Sequence, residues 1–240
     1  MEDTNLYTKD YLLKNKIIYY QYKKGYRTGI EPIILASKVG AEASKILDIG
    51  CGCGSISLIL AYRNKNSYVY GWDKNNDFLL LANKNKLDNN FNNLIFENLD
   101  ITNFNSVYVN FFDIIVTNPP FFLEGKVIQS QNKLLQDARY ISLSQLNEWI
   151  KNMLNYLKNE GNAFLINRYN NLDILIGILK NYNVKVDIEP IKSYADSEPK
   201  NLIIKIKKSD NFSSTVISDL IVHDRASDDG YSRSLKEWMK

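Results

Sequence analysis

Apolar positions from about residue 45 onward switch repeatedly between a two-residue and a helical rhythm. Lys45-Ile46-Leu47-Asp48-Ile49 is a short apolar run that stops at Gly50-Cys51-Gly52-Cys53-Gly54. In Ser55 to Arg63, the residues Ile56, Ile59 and Leu60 can share one helical face. The spacing predicts further strands over Ser67 to Trp72, Leu94 to Phe96 and Phe112 to Thr117, with a helix over Asn75 to Asn90. Helical patterning returns from Leu143 to Leu157, and Gly161 is expected to stop it before a strand over Ala163 to Ile166. A helix near Leu172 to Asn181 precedes two β-like runs, Val184 to Ile188 and Leu202 to Lys207. Strands separated by helices predict a parallel sheet covered on both faces. The last two runs have no room for a helix between them and are expected to pair as an antiparallel hairpin. The fold class is therefore α/β, with a seven-stranded, mostly parallel sheet and an antiparallel C-terminal hairpin.

No internal repeat or Pro/Gly-rich linker divides the 240 residues, so a single domain is expected. Residues 41–208 form its core, 1–40 an N-terminal flanking segment and 209–240 a C-terminal extension. With 45% hydrophobic and 24% charged residues, a core can form without staples. The two cysteines, Cys51 and Cys53, are one residue apart and make a poor disulfide framework. A reducing, cytoplasmic setting is expected. The first five residues lack the basic start and apolar stretch of a signal peptide, and no apolar run approaches a membrane span. His223 is the only histidine, which leaves too few partners for zinc and little support for a His-based triad. At a net charge of +3, nucleic-acid binding would need a local patch. Tyr19 to Arg27 is basic and aromatic-rich and could stack on unpaired bases, or could be a half-buried strand with solvated lysines.

The turn Asp48-Ile49-Gly50-Cys51-Gly52-Cys53-Gly54 joins a strand to a helix with closely spaced glycines. Such glycines serve where the backbone takes positive φ or must lie against a ligand. A dinucleotide site would show G-x-G-x-x-G there. The pattern D-x-G-x-G-x-G instead suits a ligand carrying a ribose and a zwitterionic amino acid. Asp73 closes the next strand, where an acid accepts hydrogen bonds from ribose hydroxyls. Asp100, after the third strand, could meet an adenine amino group. A plain tight turn with capping aspartates is the competing explanation.

Phe112 to Thr117 runs directly into Asn118-Pro119-Pro120-Phe121, a loop that its two prolines make rigid. An exocyclic amine on a base is a poor nucleophile because its lone pair is delocalised into the ring. Acceptors from the Asn118 side chain and the Pro119 carbonyl favour a pyramidal nitrogen, while Phe121 can stack on the ring. Positioning and aimed dipoles, without a general base, suit a chain with one histidine. Asn-Pro is also common in ordinary turns.

Together, D-I-G-C-G-C-G and N-P-P-F resemble the Rossmann-like methyltransferases that modify amino nitrogens of bases or of glutamine. More narrowly the chain resembles the bacterial tRNA(Val) adenine N6-methyltransferases, which methylate the adenine beside the anticodon. The match covers nearly the whole chain. It includes Tyr26 to Ala36 as a cofactor-covering segment, Asn118 to Gly125, Gln136-Asp137-Ala138-Arg139-Tyr140, Pro199 to Ile204, Leu220 to Val222 and Tyr231. Glu31 stands where the family usually has Asp, and Phe121 where Tyr is commoner. The resemblance implies a Rossmann-like methyltransferase fold and S-adenosylmethionine as cofactor. It implies Thr28, Asp48, Gly50, Gly52, Gly54, Asp73, Asp100 and Asn118 as cofactor-binding residues, and Asn118, Pro119, Pro120 and Phe121 as the catalytic loop. It further implies a tRNA partner; no metal and no membrane partner are expected, and a monomer is favoured with the oligomeric state left open. Lys23, Lys24, Arg27, Arg139 and Lys205 are expected to form a basic surface beside the cleft. The alternatives are a guanine amine of rRNA, a glutamine side chain in a translation factor, and a binding module that has lost catalysis.

Overall fold

The computed structural model describes residues 6–24, 27–40, 43–123, 140–228 and 230–239. Tyr26 and the stretch 124–139, with Arg139, lie outside the described residues. The chain opens with a hairpin of β1 (Tyr7–Leu12) and β2 (Ile17–Tyr22), followed by the short helix α1 (Glu31–Ala36). The core then alternates as the sequence rhythm predicts: β3 (Lys45–Ile49), α2 (Ser55–Arg63), β4 (Tyr68–Asp73), α3 (Asn76–Asp88), β5 (Leu94–Asn98) and β6 (Phe112–Thr117). Beyond the loop after β6 come a two-residue pair, β7 (Phe122–Leu123) and β8 (Tyr140–Ile141), then α4 (Leu143–Tyr156) and β9 (Leu157–Arg168). The chain finishes with α5 (Leu172–Leu179), β10 (Val184–Lys192), β11 (Pro199–Lys208), β12 (Ser213–Val216), β13 (Leu220–Ile221) and α6 (Arg233–Met239).

The large sheet has the strand order β12-β10-β11-β9-β6-β3-β4-β5, with β13 also pairing on β10. Seven of these strands are the expected ones, and β10 and β11 pair antiparallel as the expected hairpin. Only β11 runs against the rest. The sheet as described has nine strands because β12 and β13 of the C-terminal extension add in parallel along β10. All four residues of β12 are exposed, so no apolar alternation announces it.

Successive side chains along each strand point to opposite faces, and each face carries its own core. Leu47, Ile49, Ile115 and Leu165 pack with Ile150 and Met153 of α4 and Leu175 and Leu179 of α5. Ile46, Val116, Phe164 and Ile166 pack on the other face with α1, α2 and α6. Every residue of α2 from Ser55 to Ala61 is buried, since α1 covers the side turned away from the sheet. The expected helix stop at Gly161 is replaced by a different role. The helix already ends at Tyr156, and Gly161 sits inside β9. A Cβ there would lie 2.8 Å from the Asp113 carbonyl oxygen, so glycine is what lets β9 close onto β6. At its start, α4 is fixed by reciprocal capping: Ser142 accepts from the Gln145 amide, and Gln145 accepts from the Ser142 amide.

The aromatic run of the N-terminal segment is strand β2, packed on α3. Ile17 and Tyr19 are buried while Lys23 and Lys24 are solvated. Two asparagines one turn apart on α3 stand in for a neighbouring strand. Asn89 accepts from the Ile18 amide at 2.8 Å and donates to its carbonyl at 2.7 Å. Asn85 does the same for Tyr20 and also donates to the Cys53 carbonyl at 2.9 Å. The free edge of β2 is thereby satisfied, and the hairpin is tied to the glycine loop. Asn85→Ala strands the Tyr20 amide and carbonyl, at a cost of about 1–3 kcal/mol per unsatisfied buried group. The expected outcome is a lower thermal midpoint together with faster hydrogen exchange at the Tyr20 amide. Parent-like exchange at that amide would mean that Asn85 does not hold the hairpin.

Candidate active site

In the register of the central strands, Ile49 of β3 stands opposite Trp72 of β4 on one side and Thr117 of β6 on the other. The next residue of each strand is Gly50, Asp73 and Asn118, so the three leave the sheet side by side, about 4.8 Å apart. Asn98 of β5 pairs with Asp73, which places Asp100 two residues further along the same rim. These strand ends line a cleft of about 370 Å³, roofed by Arg27 to Pro32 and walled by Trp149 and Tyr140.

The glycine loop is closed on itself. The Gly50 and Cys51 amides both donate to the Trp72 carbonyl, at 2.8 and 3.0 Å. The Gly52 amide donates to Asp73 Oδ2 at 2.8 Å, and Asp73 Oδ1 accepts from the Asn75 amide at 2.8 Å. With these amides used internally, the loop is a poor phosphate cradle. Gly52, at φ +55°, has nothing among the described residues within 4 Å of where a Cβ would stand. Its missing side chain is therefore not required by protein packing, and its open face belongs to the cleft. Gly50 lies under Trp149, whose ring would be 3.1 Å from a Cβ there. Gly54 caps α2 against Phe96 and does not line the cleft.

The acids divide into two roles. Burial pushes the Asp73 carboxyl up, and Asp100 adds to that, while the Asn75 and Gly52 amides oppose it. Asp100 also borders the cleft, with Oδ1 accepting from the Thr102 amide at 2.9 Å and hydroxyl at 2.7 Å. Each carboxylate retains lone pairs for a ligand's hydroxyl, amine or ammonium groups. Asp48 lies beneath the loop instead and does not line the cleft. It is wholly buried on β3, its Oδ2 accepts from the Ser57 amide at 3.0 Å and hydroxyl at 2.6 Å, and its Oδ1 has no partner among the described residues. Burial pushes its carboxyl up to about 7 despite the Ser57 hydrogen bonds. Asp48 pins the start of α2 to the sheet.

Thr28 is held over the cleft by the hairpin. Its hydroxyl is 2.8 Å from the Tyr19 hydroxyl, and its amide donates to Gln21 Oε1 at 2.9 Å. Arg27 is paired with Asp10 at 3.0 Å. Asn118, Pro119, Pro120 and Phe121 border the cleft at the end of β6. Thr117 sets their departure, its hydroxyl donating to the Ile49 carbonyl at 3.0 Å and accepting from Trp149 Nε1 at 3.2 Å. Of the expected basic surface, Arg27 alone among the described residues borders the cleft. Lys205 sits mid-strand on β11 opposite Phe164, well below the rim. Among the cleft residues that escape the sequence reading are Lys74 after β4, Trp149 on α4 and Arg168 at the end of β9. Arg168 could have been found, because it is the first cation after the apolar run ending at Ile166, and such sheets bind ligands at strand carboxyl ends.

Among the described residues, no group of three or more His, Cys, Asp or Glu side chains could hold a metal ion. No described helix is long and apolar enough to cross a membrane. A doubly wound sheet whose carboxyl edge joins a glycine loop, strand-end acids and a proline-rich loop defines the Rossmann-like methyltransferase class. A family profile described as Methyltransferase domain matches residues 41–218. The chain belongs to this methyltransferase family, and its cofactor is S-adenosylmethionine. It is 31% identical over 171 residues to the release factor glutamine methyltransferase of Buchnera aphidicola subsp. Acyrthosiphon pisum, covering 67% of this chain and 57% of that protein. It is 26% identical over 199 residues to the tRNA1(Val) (adenine(37)-N6)-methyltransferase of Parabacteroides distasonis, covering 78% of this chain and 83% of that protein. The chain thus spans little more than half the length of the Buchnera relative. A crystal structure described as a predicted O-methyltransferase of Agrobacterium tumefaciens shares the fold, with a TM-score of 0.69 at 17% identity and coverage of 87% and 94%.

Two outcomes follow from these acids. Asp73→Ala removes a charged acceptor and frees Gly52, so cofactor affinity measured by calorimetry is expected to fall roughly 10- to 100-fold. An unchanged dissociation constant would take Asp73 out of the site. Asp48 gives a pH dependence. Its folded carboxyl titrates at about 7 against an ordinary 3.8, so its contribution is fully present below pH ~4 and is lost as pH rises through ~7. Asp48→Asn should therefore gain stability relative to the parent across that interval, on the order of 4 kcal/mol at most. A constant difference in thermal midpoint from pH 4 to 8 would contradict the assignment.

Proposed function

We propose that this chain is an S-adenosylmethionine-dependent N6-methyltransferase acting on an adenine of tRNA, beside the anticodon, in the cytoplasm. The observation that carries the proposal is the register placing Asn118 beside Gly50, so that the glycine cradle and the Asn-Pro-Pro-Phe loop face one cleft. The bound cofactor supplies an electrophilic methyl group on a sulfonium sulfur. Asp73, near the loop it anchors through Gly52, suits the ribose hydroxyls. Asp100 suits the adenine amine, and Thr28 with its segment covers the ligand. Gly50 and Gly52 let the backbone lie against it, while Asp48 and Gly54 support the loop from beneath.

The chain's own residues then prepare the target nitrogen. Asn118 Oδ1 and the Pro119 carbonyl accept its N–H groups, which favours a pyramidal nitrogen with a localised lone pair. Pro120 keeps the loop rigid. Phe121 stacks on the base, and Asn171 holds that residue's carbonyl at 2.8 Å. The same loop chemistry suits an amide nitrogen, in keeping with the similarity to a glutamine methyltransferase. Coverage of 83% of the tRNA-methylating relative, against 57% of the glutamine-methylating one, favours the nucleic-acid substrate.

Single-turnover transfer of labelled methyl to unmodified tRNA, followed by nucleoside identification, tests this proposal. The expected product is N6-methyladenosine, with no label on a release factor offered in parallel. Asn118→Ala should keep cofactor affinity yet lose about 10²–10³ in rate, the usual cost of one preorganised transition-state hydrogen bond. Phe121→Ala should also weaken RNA binding, by about 1–3 kcal/mol of stacking, whereas Phe121→Tyr stays active. Near-parent turnover in Asn118→Ala would reduce the loop to a turn, and label on the release factor alone would replace the substrate.

A further inference from the structure

The apolar run of β9 ends in Asn167-Arg168, three residues beyond the level at which Leu165 pairs with Thr117. Arg168 thus rises from the strand next to β6, on the rim that carries Asn118. Its guanidinium lies 5.5 Å from the centroid of the Phe121 ring and borders the same cleft. The two groups share one frame. Asn171 donates to the Phe121 carbonyl at 2.8 Å and to Asn167 Oδ1 at 2.7 Å, and the Arg168 amide donates to that same oxygen at 2.8 Å. Asn167 is itself buried, so the frame is braced from within the sheet.

Among the described residues two arginines, Arg63 and Arg168, have no carboxylate ion-pair partner, and of the two only Arg168 borders the cleft. Arg27, Arg225 and Arg233 each hold a carboxylate within 3.0 Å. Arg168 is half-buried and has no carboxylate partner among the described residues. A guanidinium stays charged at any physiological pH and presents a planar fork of donors that matches phosphate bidentately. It is held beside the Phe121 ring, the ring on which the target base is proposed to stack. A glutamine side chain brings no anion to this position.

We propose that Arg168 binds a phosphate flanking the target nucleotide and so selects a nucleic-acid strand over a peptide. This rests on the RNA reading of the cleft. Phosphate contacts fix register on a nucleic acid and carry no sequence information. Arg168 therefore sets how the strand is seated, while Asn118 and Phe121 act on the base.

The test compares the parent with Arg168→Ala, Arg168→Gln and Arg168→Lys. Fluorescence anisotropy gives the Kd for unmodified tRNA between 50 and 200 mM salt, and single-turnover transfer gives the rate at saturating tRNA. Calorimetric cofactor binding shows that each variant is folded. Loss of one charge-assisted contact should raise the tRNA Kd roughly 10- to 100-fold in the Ala and Gln variants. The slope of log affinity against log salt should become shallower by about 1. The saturated rate should stay near the parent's, and Lys should recover part of the affinity. An unchanged Kd and slope beside an active parent overturns this proposal alone. A fall in saturated rate with unchanged Kd also overturns it, because Arg168 would then act only through Phe121. A parent that transfers no methyl to tRNA overturns the RNA reading and this proposal with it.

Discussion

The cleft depends on β3 being hydrogen-bonded in parallel to β4 on one side and β6 on the other. Parallel neighbours end at the same edge, and the shared register at Ile49, Trp72 and Thr117 brings their next residues out together. A slip of one residue would turn Ile49 from its buried face and carry Asp73 or Asn118 away from the rim. The register is protected by burial. Ile46, Leu47, Trp72, Ile115 and Val116 are at most 2% exposed, and the Thr117 hydroxyl is bonded to the Ile49 carbonyl. The chemistry of the site thus inherits its geometry from apolar packing on both faces of the sheet.

The N-terminal hairpin becomes part of the site through side chains. Its two strands form a separate small sheet, attached through Asn85 and Asn89 rather than through strand pairing with the core. Asp10 is the junction from which the covering segment is held. It accepts from Thr8, Gln21 and Arg27 at 2.7–3.0 Å. Burial raises its carboxyl, and these donors outweigh burial and leave it below the ordinary value. Gln21 in turn receives the Thr28 amide. Tyr19, Gln21 and Thr28 form a polar bridge, so side chains of the aromatic, basic run and the segment after it fix the roof over the cleft.

The core alternation and both loops were legible in the sequence because each rests on local chemistry: period-two apolar runs, clustered glycines and an Asn-Pro-Pro turn. What escaped depends on partners distant in sequence. Asp48 and Asp73 are both strand acids beside the glycine motif, and nothing local says that one binds Ser57 beneath the loop while the other faces the cleft. Gly161 looks like a helix terminator, yet its position is set by the Asp113 carbonyl, 48 residues earlier in the sequence given. Strand β12 has no apolar pattern to detect, being held by backbone pairing to β10. Arg168 carries no motif; it gains meaning from Phe121 across the strand ends.

A crystal structure with S-adenosylhomocysteine bound tests the central geometry most directly. The ribose hydroxyls are expected on Asp73, the amino-acid portion over Gly50 and Gly52, and the sulfur turned toward Asn118 and Phe121. A cofactor whose sulfur faces away from that loop, or one that occupies a different part of the molecule, would contradict it.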